Sequence, residues 1–138
     1  MPVCFIYGPD GLNENLKKEL ITESLEALVE AYQMPDDRVF ISEYPLANAG
    51  HTPQTQDQDW SVQSEPAKPV CRIDAPPGLP IVDRRRLFAS ITSSVAKAYR
   101  ISDLRDILIF LHEYPIENVG NNGLLQTENP EFESPVSQ

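Results

Sequence analysis

Eleven residues near the start of the chain, PVCFIYGPDGL, return sixty-seven positions later as PVCRIDAPPGL. Aligned on Pro2 and Pro69, Val3 meets Val70, Cys4 meets Cys71, Ile6 meets Ile73, and Gly11 and Leu12 meet Gly78 and Leu79. Farther on, Leu20 meets Leu87, and Ala31 and Tyr32 meet Ala98 and Tyr99. The second copy then carries three extra residues, after which Phe40 meets Phe110, Glu43-Tyr44-Pro45 meets Glu113-Tyr114-Pro115, and Asn48 and Gly50 meet Asn118 and Gly120. A match along nearly the whole of each unit marks an internal duplication. The chain must fold into something that two copies of one short unit can build.

Each unit reads alike. PVCFIY and PVCRID are short and rich in β-branched residues, as strands are. Pro and Gly then mark a turn. In the first unit Leu16, Leu20, Ile21, Leu28, Ala31 and Tyr32 form one stripe at helical spacing, with Asn13 as a suitable N-cap. Leu87, Phe88, Ile91, Val95, Ala98 and Tyr99 form the same stripe in the second, with Pro80 suited to its first turn. RVFISEY and DILIFLHEY supply a further strand each. A helix between two strands of one sheet implies a parallel pair with a right-handed crossover. One such unit cannot cover its own sheet. The predicted fold is therefore α/β (α+β): two tandem β-α-β units about a pseudo-twofold axis, giving a four-stranded mixed sheet with both helices on one face. The other face carries apolar residues as well, which predicts an oligomer. The units span 2–50 and 69–123. A polar linker, 51–68, has Trp60 as its apolar anchor, and an acidic polar tail follows at 124–138.

Composition narrows the function. The net charge of −10 argues against a nucleic-acid surface, which needs clustered cations; the basic run DRRRL reads as a solvated helix start. No apolar run approaches the span of a membrane and no secretory leader is visible, so a soluble, cytoplasmic protein is expected. Cys4 and Cys71 occupy equivalent strand positions and read as small buried thiols. With His51 and His112 as the only histidines, no ligand spacing suits a metal. No nucleotide loop or nucleophile–histidine–acid order occurs either, and no cofactor is expected.

The Met-Pro-Val start, the β-α-β length, the EYPxxNxG close of each unit and the duplication together resemble the tautomerase superfamily. Specifically, residues 2–50 and 69–122 are similar to two fused copies of a 4-oxalocrotonate tautomerase subunit. The resemblance implies that removal of Met1 frees Pro2 as a secondary amine. An α-amino group titrates at about 7.7–8.0 in model peptides, and burial lowers that value by disfavouring the charge. The neutral amine can then act as general base in keto–enol tautomerisation of a small 2-hydroxy-2,4-dienoate or arylpyruvate-type enol. Pro69 is internal, its nitrogen is an amide, and it has no basic lone pair. Six single-unit subunits make the family's trimer of dimers, so a fused chain implies a homotrimer with up to three sites.

The resemblance also implies arginines that bind the substrate carboxylate. The family's turn arginine is replaced by Leu12 and Leu79. Arg38 can take the place of the arginine that opens the second strand; in the second unit, ungapped alignment offers Arg105 and counting back from Glu113 offers Leu108. Arg72, where the first unit has Phe5, is a further candidate. The family's aromatic near the closing hairpin is replaced by Ala49 or Val119. Expected substrate-binding residues are thus Arg38, Arg72 and Arg105, with Pro2 catalytic. The competing readings are a hydratase, dehalogenase or decarboxylase of a small unsaturated or 3-oxo acid, and a non-catalytic trimeric module.

Overall fold

Two strands meet antiparallel at the centre of the molecule, one from each copy. The computed structural model describes residues 1–51 and 67–130; most of the expected linker, with Trp60, and the chain beyond residue 130 lie outside the described residues. The order is β1 (Val3–Pro9), α1 (Glu14–Tyr32), β2 (Arg38–Tyr44), β3 (Val70–Ala75), α2 (Ile81–Tyr99), β4 (Leu108–Glu113) and a small hairpin, β5 (Gly120–Asn121) and β6 (Leu124–Leu125). The main sheet runs β2-β1-β3-β4. Each outer strand is parallel to the inner strand of its own unit, and the two inner strands are antiparallel.

The register displays the duplication. Cys4 faces Ile73, Ile6 faces Cys71, and Phe5 faces Arg72, its own counterpart. The pseudo-twofold axis therefore passes through the Phe5–Arg72 pair. Cys4, Ile6, Cys71 and Ile73 are fully buried with Leu20, Leu28, Leu87, Ile91 and Val95 of the helices. Full burial of such side chains contributes about 1.5–3 kcal/mol each. Both thiols are free and buried, and burial pushes the Cys71 thiol up to about 12, which makes it inert as a nucleophile.

Local chemistry sets the ends of the helices. The Asn13 side chain accepts the Leu16 N–H at 2.8 Å and caps α1. Pro80 stands one position before α2 rather than within its first turn. Both helices end on equivalent residues in the left-handed conformation, Gln33 and Arg100. The three extra residues of the second copy enter the α2–β4 connection, which forms a 3-10 turn at Leu104–Asp106.

The second unit also runs on past the boundary expected at residue 123. β5 and β6 pair across Asn122 and Gly123, and the Gln126 N–H returns to the Val119 carbonyl at 2.7 Å. Among the described residues no helix is long and apolar enough to cross a membrane. On the sheet face away from the helices, the Phe5 ring stacks on Phe40 at 5.6 Å. Phe40, Leu108 and Phe110 stay about half exposed within the single chain.

Candidate active site at the Pro2 end of the sheet

Because β1 and β3 are antiparallel, the start of β1 lies beside the end of β3, and each end of the sheet combines the two units. Pro2 is fully buried and its carbonyl accepts the Arg38 N–H at 3.2 Å, which ties it to the start of β2. On the other side, the Tyr114 N–H donates to the Ala75 carbonyl at 3.0 Å and brings the end of β4 to the same place. The Tyr114 hydroxyl donates to the Met1 carbonyl at 3.2 Å. The amino group of Met1 lies 3.7 Å from the Asp37 carboxylate, a side chain only 3% exposed. Neither Asp37 oxygen has a hydrogen-bond partner. Over Met1 opens a cavity of about 550 Å³, walled by Asp36 and by the amides of Asn121, Asn122, Gln126 and Asn129.

The electrostatics follow from burial. Desolvation lowers the pKa of the Met1 amino group, against the opposing pull of Asp37. Desolvation likewise raises that of Asp37, against the pull of the amino group. A buried acid beside a buried amine resists carrying full charge on both. Asp36 behaves differently: hydrogen bonds from Arg38 hold it below its ordinary value. Burial, then Asp74 and Asp37, raise the Tyr114 phenol, which keeps its proton.

The opposite end of the sheet is a natural comparison. There Pro69 is also buried and its carbonyl accepts the Leu108 N–H at 3.3 Å. Lys68 stands where Met1 does and pairs with Asp106 at 3.4 Å. Since Val3 faces Arg38 and Val70 faces Leu108, the counterpart of Asp37 is Ile107. A buried carboxylate is present at the end that holds the amino group, and an isoleucine takes its place at the other.

The arginines separate. Arg38 heads β2 beside Pro2, its guanidinium paired with Asp36 through two bonds of 3.0 Å. Arg72 lies three rungs along the ladder from Pro2, on the open face. Its guanidinium sits 4.5 Å above the centre of the Phe5 ring, with Nε 3.3 Å from Asp74. Arg105 belongs to the Pro69 end, is 89% exposed and is held by Asp103; the counterpart of Arg38 is Leu108. Within one chain, then, the structure brings Arg38 to Pro2 and leaves Arg72 and Arg105 away from it. Asp37 and Tyr114 are the site residues that the sequence reading missed. Setting PDDRVF against RDILIF under the three-residue shift singles out Asp37, because its counterpart is apolar.

No protein-family model and no curated protein matches the sequence. Solved structures do match. The asymmetric trimer of a fused 4-OT superposes with a TM-score of 0.71 at 20% identity, over 89% of this chain and 94% of that one. Pt0534 inactivated by 2-oxo-3-pentynoate gives 0.69 at 22% identity, with the same coverage. FG41 malonate semialdehyde decarboxylase inhibited by 3-bromopropiolate gives 0.71 at 17% identity, over 96% and 99%. The chain has the tautomerase-superfamily fold, in the two-unit form of fused 4-OT, and the resemblance read from its duplicated units is borne out at that level.

Proposed function

We propose that this protein is a cofactor-independent tautomerase in which Pro2, freed by loss of Met1, is the general base. The substrate is a small carboxylate enol of the 2-hydroxydienoate or arylpyruvate type. The neutral amine takes the enol O–H proton; the carbon–oxygen bond becomes a carbonyl, and the electron pair of the carbon–carbon double bond takes the proton back from the amine at carbon. Arg38 exchanges Asp36 for the substrate carboxylate. The fused 4-OT neighbour is a trimer, and a homotrimer of this chain has one Pro2 amine per chain. One observation carries the reading. The chain's α-amino group lies under a cavity beside Asp37, an acid only 3% exposed; at the Pro69 end the counterpart of Asp37 is Ile107, and the acid that pairs there, Asp106, holds a lysine side chain. Burying a carboxylate costs several kcal/mol, and neither oxygen of Asp37 has a hydrogen bond to offset it, so its presence here favours a site that exchanges protons.

The same acid favours a second reading. If Asp37 holds the amine charged, Pro2 serves as general acid in hydration or decarboxylation of an unsaturated or 3-oxo acid, as the malonate semialdehyde decarboxylase neighbour suggests. Ketonisation of phenylenolpyruvate and 2-hydroxymuconate, followed by ultraviolet absorbance, tests the first reading on protein whose intact mass confirms loss of Met1. Turnover is expected, and Pro2→Ala should reduce it roughly a hundredfold, within the usual range for a lost general base. Turnover of 3-oxo or acetylenic acids alone points to the second reading. With neither activity, the fold serves as a non-catalytic module.

A further inference from the structure

Tyr114 has no part in that proposal, yet its hydroxyl is the polar group that the structure places against the bond joining Met1 to Pro2. The carbonyl oxygen it contacts at 3.2 Å sits on the carbon attached directly to the Pro2 nitrogen. When Met1 leaves, this carbonyl leaves with it. The hydroxyl then faces the space in front of the amine, where a reacting substrate must put its own oxygen. We infer that Tyr114 is a catalytic residue of the Pro2 site, donating to the substrate oxygen that gains negative charge as the proton moves. The inference rests on the Pro2 reading above.

Three observations support it. The Met1 carbonyl is a stand-in for a substrate carbonyl: same acceptor type, one bond from the reactive nitrogen, already bonded to this donor. The phenol's environment keeps it protonated, since burial and the nearby Asp74 and Asp37 all disfavour the phenolate. The antiparallel inner strands place a tyrosine at each end, and the counterpart, Tyr44, closes β2 at the Pro69 end, where the proline nitrogen is a permanent amide. Loss of one oxyanion donor costs about 10²–10³ in rate where the donor is central. Here Arg38 can share the charge, so the effect is smaller.

The test uses a probe that needs no turnover, 2-oxo-3-pentynoate. The Pro2 lone pair forms an N–C bond to C4 of the alkyne, and the displaced π pair moves through the conjugated system onto the C2 oxygen as an allenolate. The N–H proton then moves to C3 and restores the carbonyl; nothing is released. The adduct mass is the sum of protein and reagent, and peptide mapping locates it. Labelling rates are measured on Met1-processed full-length protein beside ketonisation kcat and KM. Tyr114→Phe is expected to slow labelling by roughly tenfold or more and to lower kcat with KM little changed, while Tyr44→Phe behaves as wild type. Tyr114→Met, of similar reach and without a donor, repeats the test should the first variant not fold. Labelling and kcat within twofold of wild type in the Tyr114 variant overturn the inference, as does an equal loss in Tyr44→Phe. If wild type takes no label at Pro2 and Pro2→Ala turns over like wild type, the Pro2 reading itself fails and takes Tyr114 with it.

Discussion

Asp37 is the residue on which the two readings of the site divide. Its carboxylate works against the desolvation that lowers the amino group's pKa at this end of the sheet. Once Met1 is lost, the Pro2 amine is the buried amino group at this end; if Asp37 opposes its desolvation as it does that of Met1, the neutral, near-isosteric substitution Asp37→Asn should let its pKa fall further. For a Pro2 base, which acts in its neutral form, the rising acidic limb of the kcat/KM profile then moves to lower pH in the variant, and activity is retained farther into acid. For a Pro2 acid, which acts charged, it is the falling alkaline limb that moves to lower pH. A pH–rate series on wild type and Asp37→Asn therefore reports both the coupling and the role. An unmoved profile sinks the coupling. Pro2 was legible in the sequence as a candidate because the chemistry proposed for it depends on position alone. Asp37 was not, since beside Asp36 it reads as one more solvated loop acid, and only the register shows it to be buried. The place of Arg72 was not legible for a different reason. A residue on a pseudo-twofold axis abuts its own counterpart, so an arginine in both copies would set like charges directly opposite each other. Phe5 and Arg72 have diverged into a ring and a cation stacked upon it.

At the level of elements the duplication is imperfect in ways that packing explains. α2 ends over β1, and the Tyr99 ring fills the space where Gly8 lacks a side chain: a Cβ there would meet the ring carbon and hydroxyl at 2.5 Å. The counterpart position accommodates a methyl group, as fully buried Ala75. Gly8→Ala should therefore destabilise the chain by about 1–3 kcal/mol, the usual cost of overpacking, seen as a lower urea midpoint with an unchanged slope. An unchanged midpoint would mean that Tyr99 moves aside freely. The strands and helices were legible from periodicity because each buries one face. The β5–β6 hairpin was not, since two-residue strands have no period to read. The signal lay in the turn: Asn122 and Gly123 both adopt positive φ, and Asn-Gly in a two-residue loop is the strongest short hairpin cue. That hairpin matters to function because Asn121, Asn122 and Gln126 wall the cavity over Met1. The displaced alignment of Arg105 has a related cause, as the three extra residues fall before β4 and shift the ungapped match by about one turn of 3-10 helix.

For the whole molecule the open sheet face decides what the functional unit is. Phe40 and Phe110 are equivalent, each about half exposed, and they flank the Phe5–Arg72 pair on the axis. Apolar side chains contiguous across a sheet face usually mark an interface. A chain with a net charge of −10 needs a strong apolar contribution to bring copies together against self-repulsion. The fused architecture already contains both halves of the pseudo-dimer, so the face that remains is the one available for assembly into the proposed trimer. Sedimentation equilibrium should give about three times the chain mass of 15.5 kDa. Phe40→Glu with Phe110→Glu places two further like charges on that face. The double variant should sediment as a single chain, because its helix-side core of Cys4, Ile6, Cys71 and Ile73 is untouched and the fold itself should persist by circular dichroism. Activity of the dissociated chain then answers a question of construction. Retained turnover places every essential group at the Pro2 end of one chain, with Arg38 as its cation. Loss of turnover, with Pro2 still labelled by the alkyne, means that a neighbouring copy completes the site, and Arg72 and Arg105 are the first cations to test there. A wild-type chain that sediments as a monomer would remove the trimer and leave the aromatic face without an occupant.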